Sequence, residues 1–136
     1  FGTNVQAANP SLVYAPLGVA MANPSIRRQP MISRTVTCKI DPSMMNEFRS
    51  ALNEEFLPRI QAQPGFVDNI ESLDTKTGEF CCTTLWKTES DVQNYDNGLF
   101  QEVAASLAPL MIEGPSVKTL PVENSSIHRV AAGKAA

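Results

Sequence analysis

The 136 residues hold only three cysteines and a single histidine. Cys38, Cys81 and Cys82 are too few for a disulfide scaffold. They also lack the CxxC spacing of a zinc ligand set and a nearby histidine to activate a thiol. They read instead as small buried hydrophobes, with Cys81 and the adjacent Cys82 directed to opposite faces of a strand. No metal and no cofactor is expected. No apolar run approaches the ~18–20 residues of a membrane span. Excess positive charge is missing too: 14 acidic side chains outnumber 11 basic ones, and the basic ones are scattered, which argues against a nucleic-acid partner. There is no glycine loop to cradle phosphate and no paired-carboxylate motif, since Glu54-Glu55 reads as part of a solvated helix face. What remains is one domain with 43% hydrophobic residues, long enough to bury roughly two-thirds of its unfolded surface.

Charge is also missing locally. Residues 1–26 carry no charged side chain, and the first 30 hold four of the ten prolines. All fourteen acidic residues lie between Asp41 and Glu123; residues 31–124 as a whole hold seven basic ones, a net of −7, and four basic residues on the flanks bring the total to −3. The chain therefore divides into an apolar, proline-punctuated arm (1–30), an acidic folded domain (31–123) and a small-residue tail (124–136). In the arm, Phe1, Leu12, Val13, Tyr14, Leu17, Val19, Met21 and Ile26 are apolar, yet the proline spacing forbids a long helix. Such a segment gains by lying on another surface, so these residues are expected to bind a partner. His128, the sole histidine, falls in the tail and reads as solvent-facing.

The domain itself shows clear periodicity. Residues 31–40 alternate, with Ile32, Val36, Cys38 and Ile40 on one face of a strand. Arg34 shares that face: it either points inward, where it must find a partner or a ligand, or is half-exposed where the strand twists out. Asp41-Pro42 is an N-cap followed by a first-turn proline. Met45, Phe48, Leu52, Phe56 and Ile60 then form one helical stripe that Pro58 bends or loosens. Pro64-Gly65 ends the helix, and residues 66–73 form a second strand, with Phe66 and Ile70 among polar neighbours. A turn at 74–78 leads to a third strand over 79–87, with Phe80, Cys82, Thr84 and Trp86 on one face. Thr88 or Ser90 caps a helix through Tyr95, which Asp96-Asn97-Gly98 interrupts. Helical spacing resumes over 99–111, Gly114-Pro115 breaks it, and 117–122 supply a fourth strand with Pro121 at its end. The order β-α-β-β-α-β is that of an α+β, ferredoxin-like sandwich. Its helices cover one sheet face, and the other is left for a second copy of the chain or a larger partner.

This order, with the runs "QPGFVDNIESLDTKTGEF" and "TTLWKTESDVQNYDNGLF", resembles the antibiotic-biosynthesis-monooxygenase-like (ABM) branch of the dimeric α/β-barrel superfamily. Two features carry the resemblance: Pro64-Gly65-Phe66 before the second strand, and Trp86-Lys87-Thr88-Glu89 at the end of the third. It covers about 31–122 and implies the ferredoxin-like fold of the dimeric α/β-barrel type. Members include cofactor-independent oxygenases of phenolic or quinone-like substrates and haem-degrading enzymes with an Asn, a Trp and an axial His. Trp86 matches the Trp position. The helix that would carry the His has Asn94, Tyr95 and Asn97, of which only Tyr95 is a strong enough donor to bind haem, so haem degradation is not expected. An inward Arg34, with Trp86 and Tyr95, would form a pocket for an aromatic, anionic or redox-active ligand.

Two functions follow as expectations. The first is a non-catalytic accessory subunit, anchored by its arm among the protein subunits of a larger assembly and touching a membrane complex only peripherally. A chain starting at Phe resembles mature plastid proteins of algae with red-lineage plastids, which points to a plastid location and an algal photosystem-antenna supercomplex. Without such import, a soluble cytoplasmic protein is expected. The second is a small cofactor-independent monooxygenase, working as a homodimer on an aromatic or quinone-like substrate, with Trp86, Tyr95 and Arg34 lining its pocket.

Overall fold

The computed structural model describes residues 31–130. The arm residues expected to bind a partner, Phe1 to Ile26, lie outside the described residues, as does the Phe1 that suggests a plastid location. Residues 32–120 form one compact unit.

Its sheet has four antiparallel strands in the order β2-β3-β1-β4. They are β1 (Ile32–Ile40), β2 (Phe66–Leu73), β3 (Glu79–Trp86) and β4 (Met111–Pro121). Between β1 and β2 runs a helical stretch: a 3-10 turn (Pro42–Met44), α1 (Met45–Ser50), a π-helical segment (Ala51–Phe56) and α2 (Leu57–Gln61). Asp41 caps it as expected, its Oδ1 accepting from the Ser43 N–H at 3.0 Å. The loosening expected from Pro58 falls in the segment just before it. A proline at 58 cannot donate to the carbonyl four residues back and its ring crowds that carbonyl, so the widened π turn accommodates it. Between β3 and β4 lie α3 (Glu89–Asn97) and α4 (Leu99–Leu107), separated at Gly98. Thr88, and not Ser90, is the cap of α3: its Oγ1 accepts from the Asp91 N–H at 3.1 Å and donates to Asp91 Oδ2 at 2.8 Å.

The helical stripe Met45, Phe48, Leu52, Phe56 and Ile60 is buried, together with Val92, Tyr95, Val103 and Leu107 from α3 and α4. All of these except Met45 pack in one core with Ile32, Ile40, Phe80 and Trp86 of the sheet. The opposite sheet face carries Thr35 and Thr83, whose hydroxyls lie 3.0 Å apart, and Ile70, which is 61% exposed.

Two expectations about the strands change. β4 starts at Met111, six residues before the expected 117, and Gly114-Pro115 lies inside it rather than before it. Gly114 has φ +91, and a side chain there would press on the Cys38 backbone of β1. The glycine is the residue that lets β4 pass close to its neighbour, so the dipeptide that reads as a breaker serves the pairing. In β2, simple alternation would put Phe66 and Ile70 on one face. The β2–β3 register shifts between Phe66 and Asp68, so one extra residue is accommodated there. After this bulge Asn69, Glu71 and Leu73 pair with Thr84, Cys82 and Phe80 and face the helices, while Ile70 turns outward.

The described part of the tail is held by short local bonds: the Ile127 and His128 N–H groups both donate to Ser125 Oγ, at 3.2 and 2.9 Å. His128 is half-buried rather than fully solvent-facing. Among the described residues no helix is long and apolar enough to cross a membrane.

Candidate functional site

Arg34 points inward. Its side chain is 2% exposed, buried among helices and sheet. A lone buried guanidinium would be costly, and three contacts offset the loss of water. Nε donates to Asp96 Oδ1 at 2.7 Å, and the guanidinium carbon lies 4.1 Å from the Phe100 ring centre and 5.0 Å from that of Tyr95. The Asp-Asn-Gly stretch that interrupts the helix thus supplies the counter-ion, with Asp96 near the end of α3 and 36% exposed. Nη2 of Arg34 is buried and has no hydrogen-bond partner among the described residues.

Beside this group lies a cavity of about 50 Å³ between the sheet and the helices. Its wall is mostly apolar, with Phe48, Leu57, Phe100 and Met111 among its residues, and its polar groups come from Arg34, Asn69, Glu71, Cys82, Thr84 and Tyr95. The polar side chains form two short chains. Trp86 Nε1 donates to Thr84 Oγ1 at 2.8 Å, and Thr84 Oγ1 donates to the Arg34 carbonyl at 3.4 Å. Cys82 Sγ donates to Asn69 Oδ1 at 3.1 Å, and Asn69 Nδ2 donates to Glu71 Oε2 at 3.2 Å.

The three residues singled out in the sequence are therefore brought together, in different roles. Arg34 and Tyr95 reach the cavity wall. Trp86 does not: it is fully buried and stacked behind Tyr95, ring centres 5.0 Å apart and planes 28° apart, with Phe66 edge-on at 5.7 Å. Burial pushes the Tyr95 phenol up to about 12, against the pull of nearby Arg34, and the ring is closed in by Trp86 and Phe100. A haem-binding tyrosinate is disfavoured by both. The cysteines are half-buried and free rather than fully buried. Burial raises the Cys38 thiol to about 11 and the Cys82 thiol to about 12, the latter helped by nearby Glu71 and opposed by Arg34. Neither is a ready thiolate nucleophile. Among the described residues no three His, Cys, Asp or Glu side chains converge as a metal ligand set.

Sequence reasoning missed Asp96, Phe100, Asn69 and Glu71. Asp96 sits at a helix break, where periodicity assigns no face, and Phe100 reads only as part of the apolar spacing of the helix that resumes after it. Asn69 and Glu71 reach the cavity only through the bulge in β2, which strict alternation hides.

No protein-family model and no curated protein matches the chain by sequence. Solved structures do match. A Caulobacter crescentus protein placed among the antibiotic biosynthesis monooxygenases aligns at TM-score 0.61 and 19% identity, over 74% of this chain and 96% of its own. A Streptomyces coelicolor monooxygenase in complex with nanaomycin D aligns at TM-score 0.61 and 15% identity, over 74% and 94%. SnoaB, a cofactor-independent oxygenase from Streptomyces nogalater, aligns at TM-score 0.60 and 13% identity, over 74% and 100%.

The first expected function, a non-catalytic accessory subunit of an algal photosystem assembly, is corrected on this finding. These neighbours are named as monooxygenases or oxygenases. The chain has the ferredoxin-like fold that these solved structures share.

Proposed function

We propose that the chain is a small cofactor-independent monooxygenase acting as a homodimer on an aromatic or quinone-like substrate. The working domain is residues 31–123, with 1–30 and 124–136 as its flanks. The observation that carries this reading is Arg34 Nη2, buried and unpaired beside an apolar, aromatic-walled cavity. A buried donor without an acceptor costs about 1–3 kcal/mol, and a ring oxygen placed there recovers it. Among the neighbours, one is a monooxygenase with bound nanaomycin D and another a cofactor-independent oxygenase, which supports the reaction class.

The chemistry needs an electron-rich ring. The substrate enters neutral; as a ring hydroxyl gives up its proton in the transition state, partial negative charge develops on its oxygen, and a fixed N–H aimed at that oxygen stabilises it. The substrate itself then reduces oxygen. For a 1,4-hydroquinone, one oxygen atom replaces a ring hydrogen and the other leaves as water. The four electrons come from that C–H bond and from oxidation of the hydroquinone to the quinone, so the products are a hydroxyquinone and water. Arg34 and Tyr95 contact the ring in this reading, and Trp86 positions Tyr95 from behind.

The homodimer covers the sheet face opposite the helices, where Ile70 is 61% exposed and a broad open groove of about 700 Å³ runs past Thr37, Ser72 and Cys81. Burying such a patch is favourable.

Oxygen uptake with 1,4-hydroquinone, in the presence of a chelator and under ¹⁸O₂, tests the activity. The expected result is uptake above the protein-free rate, with one ¹⁸O in a hydroxyquinone. Plain quinone plus hydrogen peroxide at the protein-free rate would overturn it.

A further inference from the structure

The same guanidinium carries a sharper statement about what the cavity accepts, which rests on reading that cavity as the substrate site. Two of the Arg34 nitrogens are in contrasting states. Nε holds Asp96 at 2.7 Å, so the positive charge is already paired, while Nη2 remains buried and unsatisfied. A second carboxyl group, Glu71, lies on the cavity wall. One guanidinium therefore serves a space with two carboxyl groups beside it.

These facts separate two kinds of ligand that Arg34 alone would not. A neutral oxygen acceptor, a ring carbonyl or an un-ionised phenol, takes the Nη2 donor and leaves the Arg34–Asp96 bond intact. The buried Nη2 then has a partner, with no new charge brought in. An aromatic carboxylate would place a second full negative charge against a guanidinium already neutralised. Inside a space of about 50 Å³ it would also lose its water. It enters only if Asp96, which is 36% exposed, swings out and gives up its charge-assisted bond. The small volume further favours a single ring over a fused tricycle, with the half-buried Leu57 and Met111 giving way to admit it.

We propose that Asp96 is the specificity-determining residue of this site: by pairing Arg34, it selects a neutral single-ring aromatic bearing a carbonyl or phenolic oxygen and rejects aromatic carboxylates. Asp96 acts through Arg34, so it is a positioning residue and not a catalytic one.

The test uses the full chain, ¹⁵N-labelled, titrated at pH 7 with acetophenone and with benzoate, two probes of nearly the same size. The readouts are the backbone amide signals of Arg34, Cys82 and Thr84 and the single indole N–H, since the chain has one tryptophan. Acetophenone is expected to bind at least about tenfold tighter than benzoate. In Asp96→Asn the guanidinium charge is unpaired, and the ratio should fall to about unity or invert, while Asp96→Glu should keep the wild-type preference. Arg34→Met should lose both probes. Benzoate binding the wild type as tightly as acetophenone, or neither probe shifting these signals, overturns the proposal, and that wild-type comparison decides the matter even if Asp96→Asn fails to fold. An unchanged ratio in a folded Asp96→Asn overturns it as well. If the preference is found but hydroquinone gives no oxygen uptake, the selective site stands and only the oxygenase reading falls.

Discussion

Arg34 and Asp96 are 62 positions apart in the chain, and the Nε of one donates to Oδ1 of the other at 2.7 Å. One partner is buried at 2% exposure and the other sits at 36%, so the two are unequal in what their loss does. Removing Asp96 leaves a buried, unpaired cation. Breaking such a pair from one side costs about 3–5 kcal/mol when both groups are buried, and the exposure of Asp96 lowers the expectation to about 1–3 kcal/mol. Arg34→Met removes the charge itself and fills the space with an apolar chain, so its cost should be below about 1 kcal/mol or even a gain. Urea denaturation of the two variants checks this, and Arg34→Met proving the more damaging would contradict it.

Gly65 is expected to tolerate no side chain. Its φ is +82, and an added Cβ would overlap the Asp91 carboxylate, which is itself engaged with the Thr88 cap. Gly65→Ala should cost about 1–2 kcal/mol from the left-handed backbone alone, with the overlap adding to it. A melting temperature unchanged from wild type would refute this.

Alkaline pH should destabilise the fold. Burial raises Cys82 and Tyr95 to about 12 and Cys38 to about 11, so each is held protonated in the native state beyond the pH at which the unfolded chain releases its proton. The native state then binds more protons than the unfolded one, and stability falls as pH rises. Their contribution is complete below about pH 8.5, the free thiol value, and drains away from there through about 12. A melting temperature flat from pH 7 to 8 and falling above 9 is expected; one that rises above 9 is not. Alkylation with iodoacetamide at pH 8 gives the companion result, with Cys38 and Cys82 modified far more slowly in the native protein than in denaturant.

The sheet face that no described helix covers predicts an oligomer. Ile70, on the edge strand β2, is 61% exposed. Ile70→Lys should convert a dimer to a monomer in sedimentation equilibrium without lowering the monomer's helix content. A wild-type chain that is monomeric at tens of micromolar would dismiss the dimer.

Much of this architecture is legible in the sequence because its signals are local. The strip from Met45 to Ile60 and the alternation of β1 each bury one side, and a one-residue error would expose the whole set. Alternation alone puts Arg34 of β1 and Cys82, Thr84 and Trp86 of β3 on the helix-facing side of their strands, where all four are found. The failures have non-local causes. Gly114-Pro115 reads as a breaker because the close approach of β1 is invisible in β4's own residues. Asn69 and Glu71 reach the cavity through a bulge that depends on pairing with β3. Trp86 reads as core or pocket wall, and only the structure decides for core, since nothing in its neighbours shows that Tyr95 stands in front of it. Asp96 reads as part of a turn, although it is the counter-ion of a residue on the first strand.

The central claim is that Arg34 Nη2 is the anchor for a substrate oxygen. A crystal structure of the full chain soaked with 1,4-hydroquinone under anaerobic conditions measures this directly. The expected result is a ring in the cavity between sheet and helices with one oxygen about 2.7–3.2 Å from Nη2 and the Arg34–Asp96 bond unbroken. A ring bound on the sheet face opposite the helices, or a filled cavity in which Nη2 still has no partner, would contradict it.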